Sequence, residues 1–203
     1  MRPMTHDRFT EFRDLHYATF NQYEFTSNLG HDYLTLFYDY LLSCGTAFGF
    51  YCEVGGEIVS YSVGYLNRDL FFKNFHREHR FRLLLIWLRK IWDMPHAYII
   101  GGICQLLFGI TDKKTRKVRD HRAHLGFIVL RKDYQGTPEG REMVVSCIQA
   151  VMDEHKHLGY KGTWGGVDSR NPKMGGLLKK LGFAEVDRLS FPGRDIIIFD
   201  IGY

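Results

Sequence analysis

The sequence predicts a mixed α/β fold, with a central β-sheet of about six to seven strands flanked by helices. Three observations predict it. From Ala123 onward, apolar runs, turn residues and helical periods alternate as strand, turn, helix, strand, helix, strand. Upstream, two β-rich runs, Thr46 to Val54 and Glu57 to Leu66, are joined by Gly55 and Gly56, the two-residue connection of a tight hairpin. Before them, Tyr33, Leu36, Phe37, Tyr40 and Leu41 recur at the spacing of one helix face.

From the N-terminus, a very short strand precedes a helix near residues 8 to 20 that Thr5 or Asp7 can cap. The second helix ends near Cys44 and Gly45, and the hairpin follows it. Residues 67 to 122 have a different character and read as a helical insertion between the third and fourth strands. There Leu84, Trp87, Leu88 and Ile91 fall at helical spacing after the polar stretch His76 to Arg82. Pro95 then interrupts, and Tyr98 to Ile110 supplies a second apolar segment. Leu125 to Leu130 is nearly continuously apolar, which suits a strand buried on both faces. A long helix from about Pro138 to His157, a strand around Thr163 to Val167, a short helix from Pro172 to Leu181 and two final strands, near Phe183 to Ser190 and Asp195 to Ile201, complete the order. No repeat or linker divides residues 1–203, so one domain is expected.

Composition narrows the function classes. The chain has 203 residues, 45% hydrophobic and 25% charged, enough for one sizeable core. Its net charge of +4 is too small to imply a nucleic-acid partner, and no nucleic-acid motif is present. Cys44, Cys52, Cys104 and Cys147 form no C-x-x-C pair and no metal-ligand spacing with histidine, so free thiols and no metal are expected. The N-terminus lacks the apolar region of a secretory signal, and Ala97 to Ile110 is shorter than the roughly 20 residues that cross a bilayer. A cytoplasmic location is the expectation.

The chemistry is concentrated after the strand that ends at Leu130. Tyr134 to Arg141 is a turn containing small residues that leads into a helix. Such a helix start gathers unpaired backbone N–H groups and the positive end of the helix dipole, a combination that suits a phosphate or pyrophosphate. Pro138 suits the first helical position, and Arg141 adds a cation. Downstream, Asn171 opens a short helix that closes at Lys180, Gly182 and Phe183.

Together these two segments resemble the GNAT superfamily of acyl-CoA-dependent N-acyltransferases. That family carries Gln/Arg-x-x-Gly-x-Gly/Ala after a strand, and further on an Asn followed by a helix ending in Lys-x-Gly-Phe. Gln135, Gly140, Asn171, Lys180, Gly182 and Phe183 match, and Arg2, Pro3 and Asp7 are compatible. The resemblance covers most of the chain outside residues 67–122 and implies a GNAT-like fold. It further implies an acyl-CoA, most simply acetyl-CoA, lying along Ile128, Val129 and Leu130. Gln135, Gly136, Thr137, Glu139, Gly140, Arg141 and Asn171 would contact it. Two positions depart from the family pattern. Pro138 stands where a central glycine is usual, and Leu178 stands where many members have a tyrosine that protonates the departing thiolate. Ser169 or water would then replace that acid, or the thiolate would leave unaided, since a thiol of pKa about 8.5 is a tolerable leaving group.

The implied reaction is direct attack by the primary amine of a small molecule on the thioester carbonyl, polarised by backbone amides of the strand. His124 is the first candidate base, because simple alternation puts it on one face with Gly126, Ile128 and Leu130. The commoner role of such a residue, a strand-edge histidine that satisfies a hydrogen bond, ranks above the catalytic one. Asp168 and Glu53 are further candidates, and Tyr23, Phe25, Thr26, Ser27 and Asn28 form the expected acceptor pocket. A rival reading is a non-catalytic acyl-CoA-binding module. The insertion carries basic residues at both ends, among them Arg77, Arg80, Arg82, Lys113, Lys114, Arg116, Lys117, Arg119 and Arg122. A homodimer contact or a substrate lid is the first expectation for it. A membrane surface, serving an enzyme with a longer acyl donor, ranks below.

Overall fold

The computed structural model describes residues 1–20, 29–90, 121–191 and 194–203. Seven strands form one mixed sheet: β1 (Arg2–Pro3), β2 (Ala47–Val54), β3 (Glu57–Tyr65), β4 (Ala123–Leu130), β5 (Gly162–Asp168), β6 (Ala184–Phe191) and β7 (Arg194–Gly202). Their spatial order is β1-β2-β3-β4-β5-β7-β6. Only β4 and β5 run parallel to each other, and the other neighbours are antiparallel. At the β2–β3 turn, Gly55 and Gly56 have φ of 60° and 85°, a conformation that glycine adopts without the Cβ clash of other residues.

Among the described residues, five α-helices cover the two faces: α1 (Phe9–Phe20), α2 (His31–Ser43), α3 (Arg68–Lys90), α4 (Pro138–His157) and α5 (Pro172–Lys180). The first three share one face. Phe12 and Leu15 of α1, Leu34, Phe37 and Leu41 of α2, and Phe71 and Phe75 of α3 pack there with Tyr61, Val63 and Tyr65 of β3. Helices α4 and α5 cover the other face through Val144, Ile148, Val151 and Leu178, against Leu125, Val167 and Phe199.

The insertion differs from expectation in two ways. The segment His76 to Arg82 lies within α3, because the helix starts at Arg68, where Asn67 Oδ1 accepts the Leu70 N–H at 2.9 Å. The inward face is Phe71, Phe75, Leu83 and Ile86, with Trp87 half-buried beside them. Leu84 and Leu88, on the expected stripe, are 56% and 55% exposed instead. Aromatic residues in the first turns fix the rotation of the whole helix, and the leucines must follow it. Ile91, the segment Tyr98 to Ile110, the basic residues 113 to 119 and Cys104 lie outside the described residues. Cys44, Cys52 and Cys147 are free thiols. No described helix is long and apolar enough to cross a membrane.

Candidate functional site

The sheet opens between β4 and β5. The two strands pair only at Ala123–Thr163 and His124–Trp164, and then part. Each strand is secured on its outer side. β4 pairs with β3 as far as Leu130, and β5 pairs with β7 along its whole length. Their inner edges beyond the last shared rung are therefore backbone groups outside any ladder.

A bulge lies in the same stretch. Ser62 pairs with Ile128 and Gly64 with Leu125, so two steps along β3 correspond to three along β4. The extra residue falls at Gly126 and Phe127, where a bulge leaves a backbone unit unpaired and re-aims the side chains. The alternation expected from His124 to Leu130 is broken for this reason. Leu125, Ile128 and Leu130 face the α4 cluster, whereas Phe127 and Val129 face α1 and α2. His124 is 8% exposed at the apex of the opening. It is edge-on to Trp164 at 4.2 Å and tilted against Tyr65.

The helix start beyond β4 also has a definite donor inventory. Thr137 is the N-cap and Pro138 occupies the first turn. Gly140 N–H donates to Thr137 Oγ1 at 3.0 Å, Arg141 N–H to Thr137 O at 3.2 Å, and Thr137 N–H to Tyr134 O at 3.3 Å. Three amides expected to face a pyrophosphate are thus used within the turn. Among the described residues, the amides of Gly136 and Glu139 remain without a hydrogen bond. Gly140 is required sterically, since a Cβ there would lie 2.1 Å from Tyr134 O. Gln135 ties the turn to the strand by donating from Nε2 to Leu130 O at 3.1 Å. An open groove of about 710 Å³ runs along this start, lined by Gly136, Thr137, Pro138, Arg141, Glu142, Val145 and Ser146. Glu142, Val145 and Ser146 were not apparent from sequence motifs. Glu142 shares with Arg141 the turn after Pro138, and Val145 and Ser146 lie one turn further, which is their only sequence signal. Ile128, Val129 and Leu130 line the strand edge rather than this groove.

The remaining candidates separate. Asp168 ends β5 at the far side of the opening, with its carboxylate held by Arg170 at 2.7 Å and 2.9 Å. Ser169 follows it, half-buried, with its amide on Asp195 O. Asn171 caps α5 by accepting the Met174 N–H at 3.1 Å. Leu178 is 1% exposed in the aliphatic core. Glu53 is not brought to the opening. It sits on β2, two strands from β4, in an ionic cluster with Arg2 at 2.7 Å and Arg8 at 2.6 Å. Hydrogen bonds to Glu11 first and Glu53 second push the Arg8 guanidinium above its ordinary value. The residues expected to form the acceptor pocket, Tyr23, Phe25, Thr26, Ser27 and Asn28, lie outside the described residues.

Sequence reasoning missed one group beside the bulge. His16 of α1 is buried, 5.1 Å from the Phe127 ring, and its Nδ1 is 2.8 Å from Tyr38 Oη. Tyr38 in turn bonds Tyr61, which donates to Phe12 O at 2.9 Å. The available signal was a polar residue on the apolar face of α1, one turn after Phe12.

No family model matches the sequence, and none of the curated proteins matches it. Solved structures do. An N-acetyltransferase from Staphylococcus aureus aligns with a TM-score of 0.61 at 12% identity, covering 100% of this chain and 99% of that one. A protein assigned to the GNAT acetyltransferases from Desulfovibrio desulfuricans gives 0.58 at 10% identity, with 99% and 96% covered. A spermidine N-acetyltransferase chimera from Vibrio cholerae gives 0.54 at 13%, with 99% and 93% covered. The chain has the GNAT fold, a seven-stranded mixed sheet opened between β4 and β5.

Proposed function

We propose that the protein transfers an acetyl group from acetyl-CoA to the primary amine of a small molecule. The observation that carries this reading is the coincidence of three features along β4 and just beyond its end. They are the opening towards β5, the bulge at Gly126 and Phe127, and the start of α4. The fold is that of acetyltransferases, one of which acts on spermidine.

The groove suits the anionic end of CoA. Gly136 and Glu139 amides, the helix dipole and the exposed Arg141 would hold the pyrophosphate, with fewer donors than a glycine at position 138 would give. When bound, acetyl-CoA supplies a thioester carbonyl that an amine can attack. The amides of Ile128 and Leu130, which alternate with those of Val129 and Arg131 that face β3, would lie on the inner edge of β4 as backbone donors for the carbonyl oxygen. The new C–N bond forms as the C–S bond breaks. In this reading His124, at the apex, takes the amine proton, and Ser169, which follows β5, returns one to sulfur.

Release of CoA thiol, followed with acetyl-CoA across a panel of polyamines, amino sugars and amino acids, tests the proposal. Amine-dependent release is expected for at least one class, and Arg141→Ala should weaken CoA binding about tenfold, the usual scale for losing one charge-assisted contact. CoA binding without amine-dependent release would instead favour a non-catalytic acyl-CoA-binding module, a reading consistent with the buried Leu178. No CoA binding at all would overturn both.

A further inference from the structure

Helix α3 has two apolar faces, and only one of them is in the core. The inward face is occupied by Phe71, Phe75, Leu83 and Ile86. On the other side Phe81, Leu84, Leu85 and Leu88 recur at i, i+3, i+4 and i+7 and are 67%, 56%, 55% and 55% exposed. Four adjacent large side chains of this kind make a continuous stripe, which differs from the scattered exposed leucines of any surface.

The stripe is rimmed by cations. At about 100° per residue, Lys73 and Arg80 fall on one flank and Arg82 and Arg89 on the other, while Arg77 continues the line one turn earlier. The whole helix has Arg68, Lys73, Arg77, Arg80, Arg82, Arg89 and Lys90 against Asp69 and Glu78 only. These charges are weakly compensated. Arg77 reaches Glu78 only at 3.9 Å and Arg89 reaches Asp32 only at 3.9 Å, with the two arginine side chains 68% and 74% exposed. Arg80 lies 4.7 Å over the Phe81 ring, which keeps a guanidinium at the edge of the apolar surface.

We propose that this outward face of α3 docks on an anionic lipid surface, with the helix lying in the plane of the interface. An apolar stripe flanked by long basic side chains is what such a surface selects, since the stems cover lipid while the heads meet phosphate. Charge complementarity distinguishes this occupant from a second copy of the chain. A two-fold pairing of α3 with itself would bring the same basic rim against its own image, and like charges would oppose it. The helix lies on the membrane rather than through it, because no described helix meets the requirements of a span. The inference is independent of the acyltransfer reading.

Flotation of the full chain with vesicles tests it. Vesicles of phosphatidylcholine mixed with phosphatidylglycerol should carry the protein upward, vesicles of phosphatidylcholine alone should carry far less, and high salt should release it. The double variant Leu84→Ser with Leu88→Ser should lower partitioning at least about tenfold, as should Arg77→Glu with Arg80→Glu. Lys179→Glu on α5 should leave it unchanged. All these side chains are exposed, so unchanged circular dichroism is expected throughout. Failure to float with either vesicle, or flotation indifferent to both double variants, overturns the proposal. So does light scattering that shows a dimer in the native chain and a monomer in the leucine double variant, which would make the face a contact between copies.

Discussion

Helices α3 and α4 are the two longest among the described residues, 23 and 20 residues, and they use their apolar residues in opposite ways. In α4, Val144, Cys147, Ile148, Val151 and His155 form one stripe that is wholly buried against β2, β3 and β4. In α3, apolar residues cover two sides, and aromatic contacts to Tyr65, Tyr40 and Phe37 decide which side turns inward. A helix with one stripe can be oriented from its sequence. A helix with two stripes needs its partner to choose between them.

The sharpest way to break this contrast is to truncate one residue of each outward or inward stripe. Ile148→Ala should cost about 2–4 kcal/mol, because the site is fully buried and leaves a cavity. Leu84→Ala should change stability by less than about 0.5 kcal/mol. Urea denaturation measures both. Comparable losses would mean that the outer face of α3 is covered after all, which would also weaken the membrane proposal.

A second contrast is in pH response. His155 of α4 is fully buried, with Nδ1 at 2.7 Å from Thr163 Oγ1, and burial pushes its imidazole down to about 4. Its ordinary value is about 6.5. Between these values the unfolded chain takes up a proton that the native site refuses. Stability therefore falls as pH drops through that window, by up to roughly 3 kcal/mol. In His155→Leu this portion of the slope should disappear, whatever the baseline stability. A slope unchanged from the native protein would show that other groups carry the acid response.

A smaller loss than that at Ile148 should be one the helices share. Thr137 Oγ1 caps α4 through Gly140 N–H, and Asn67 Oδ1 caps α3 through Leu70 N–H. Thr137→Ala and Asn67→Ala should each lower stability by about 1 kcal/mol. A markedly larger loss at Thr137 would point to a turn held by its cap alone rather than also by Gln135 on Leu130 O.

Much of this architecture was legible beforehand. The hairpin through Gly55 and Gly56, the helix start at Pro138, the cap at Asn171, the glycine stop after α5 and the strand-helix alternation after Ala123 are short-range patterns. Each rests on backbone geometry within a few residues. Part of the site was not legible. Strict alternation put His124 on a face with Ile128 and Leu130, and the bulge at Gly126 and Phe127 removed that relation. The bulge exists only as a mismatch between two paired strands, so neither strand shows it alone. Glu53 likewise looked available on its strand, and only the approach of Arg2 and Arg8 from the chain start committed it to an ionic cluster.

What the sequence by itself determined is the order of elements and the presence of an anion-suited helix start after a buried strand, because propensity, capping and hydrophobic period are local. What only the tertiary structure decided is the parting of β4 from β5, the two amides left free at the start of α4, the placing of His16 beside Phe127 and the outward turn of the α3 leucines. Each of these depends on which distant residues compete for the same hydrogen bonds and the same buried volume, and that competition is settled only when the sheet and its two layers of helices are packed together.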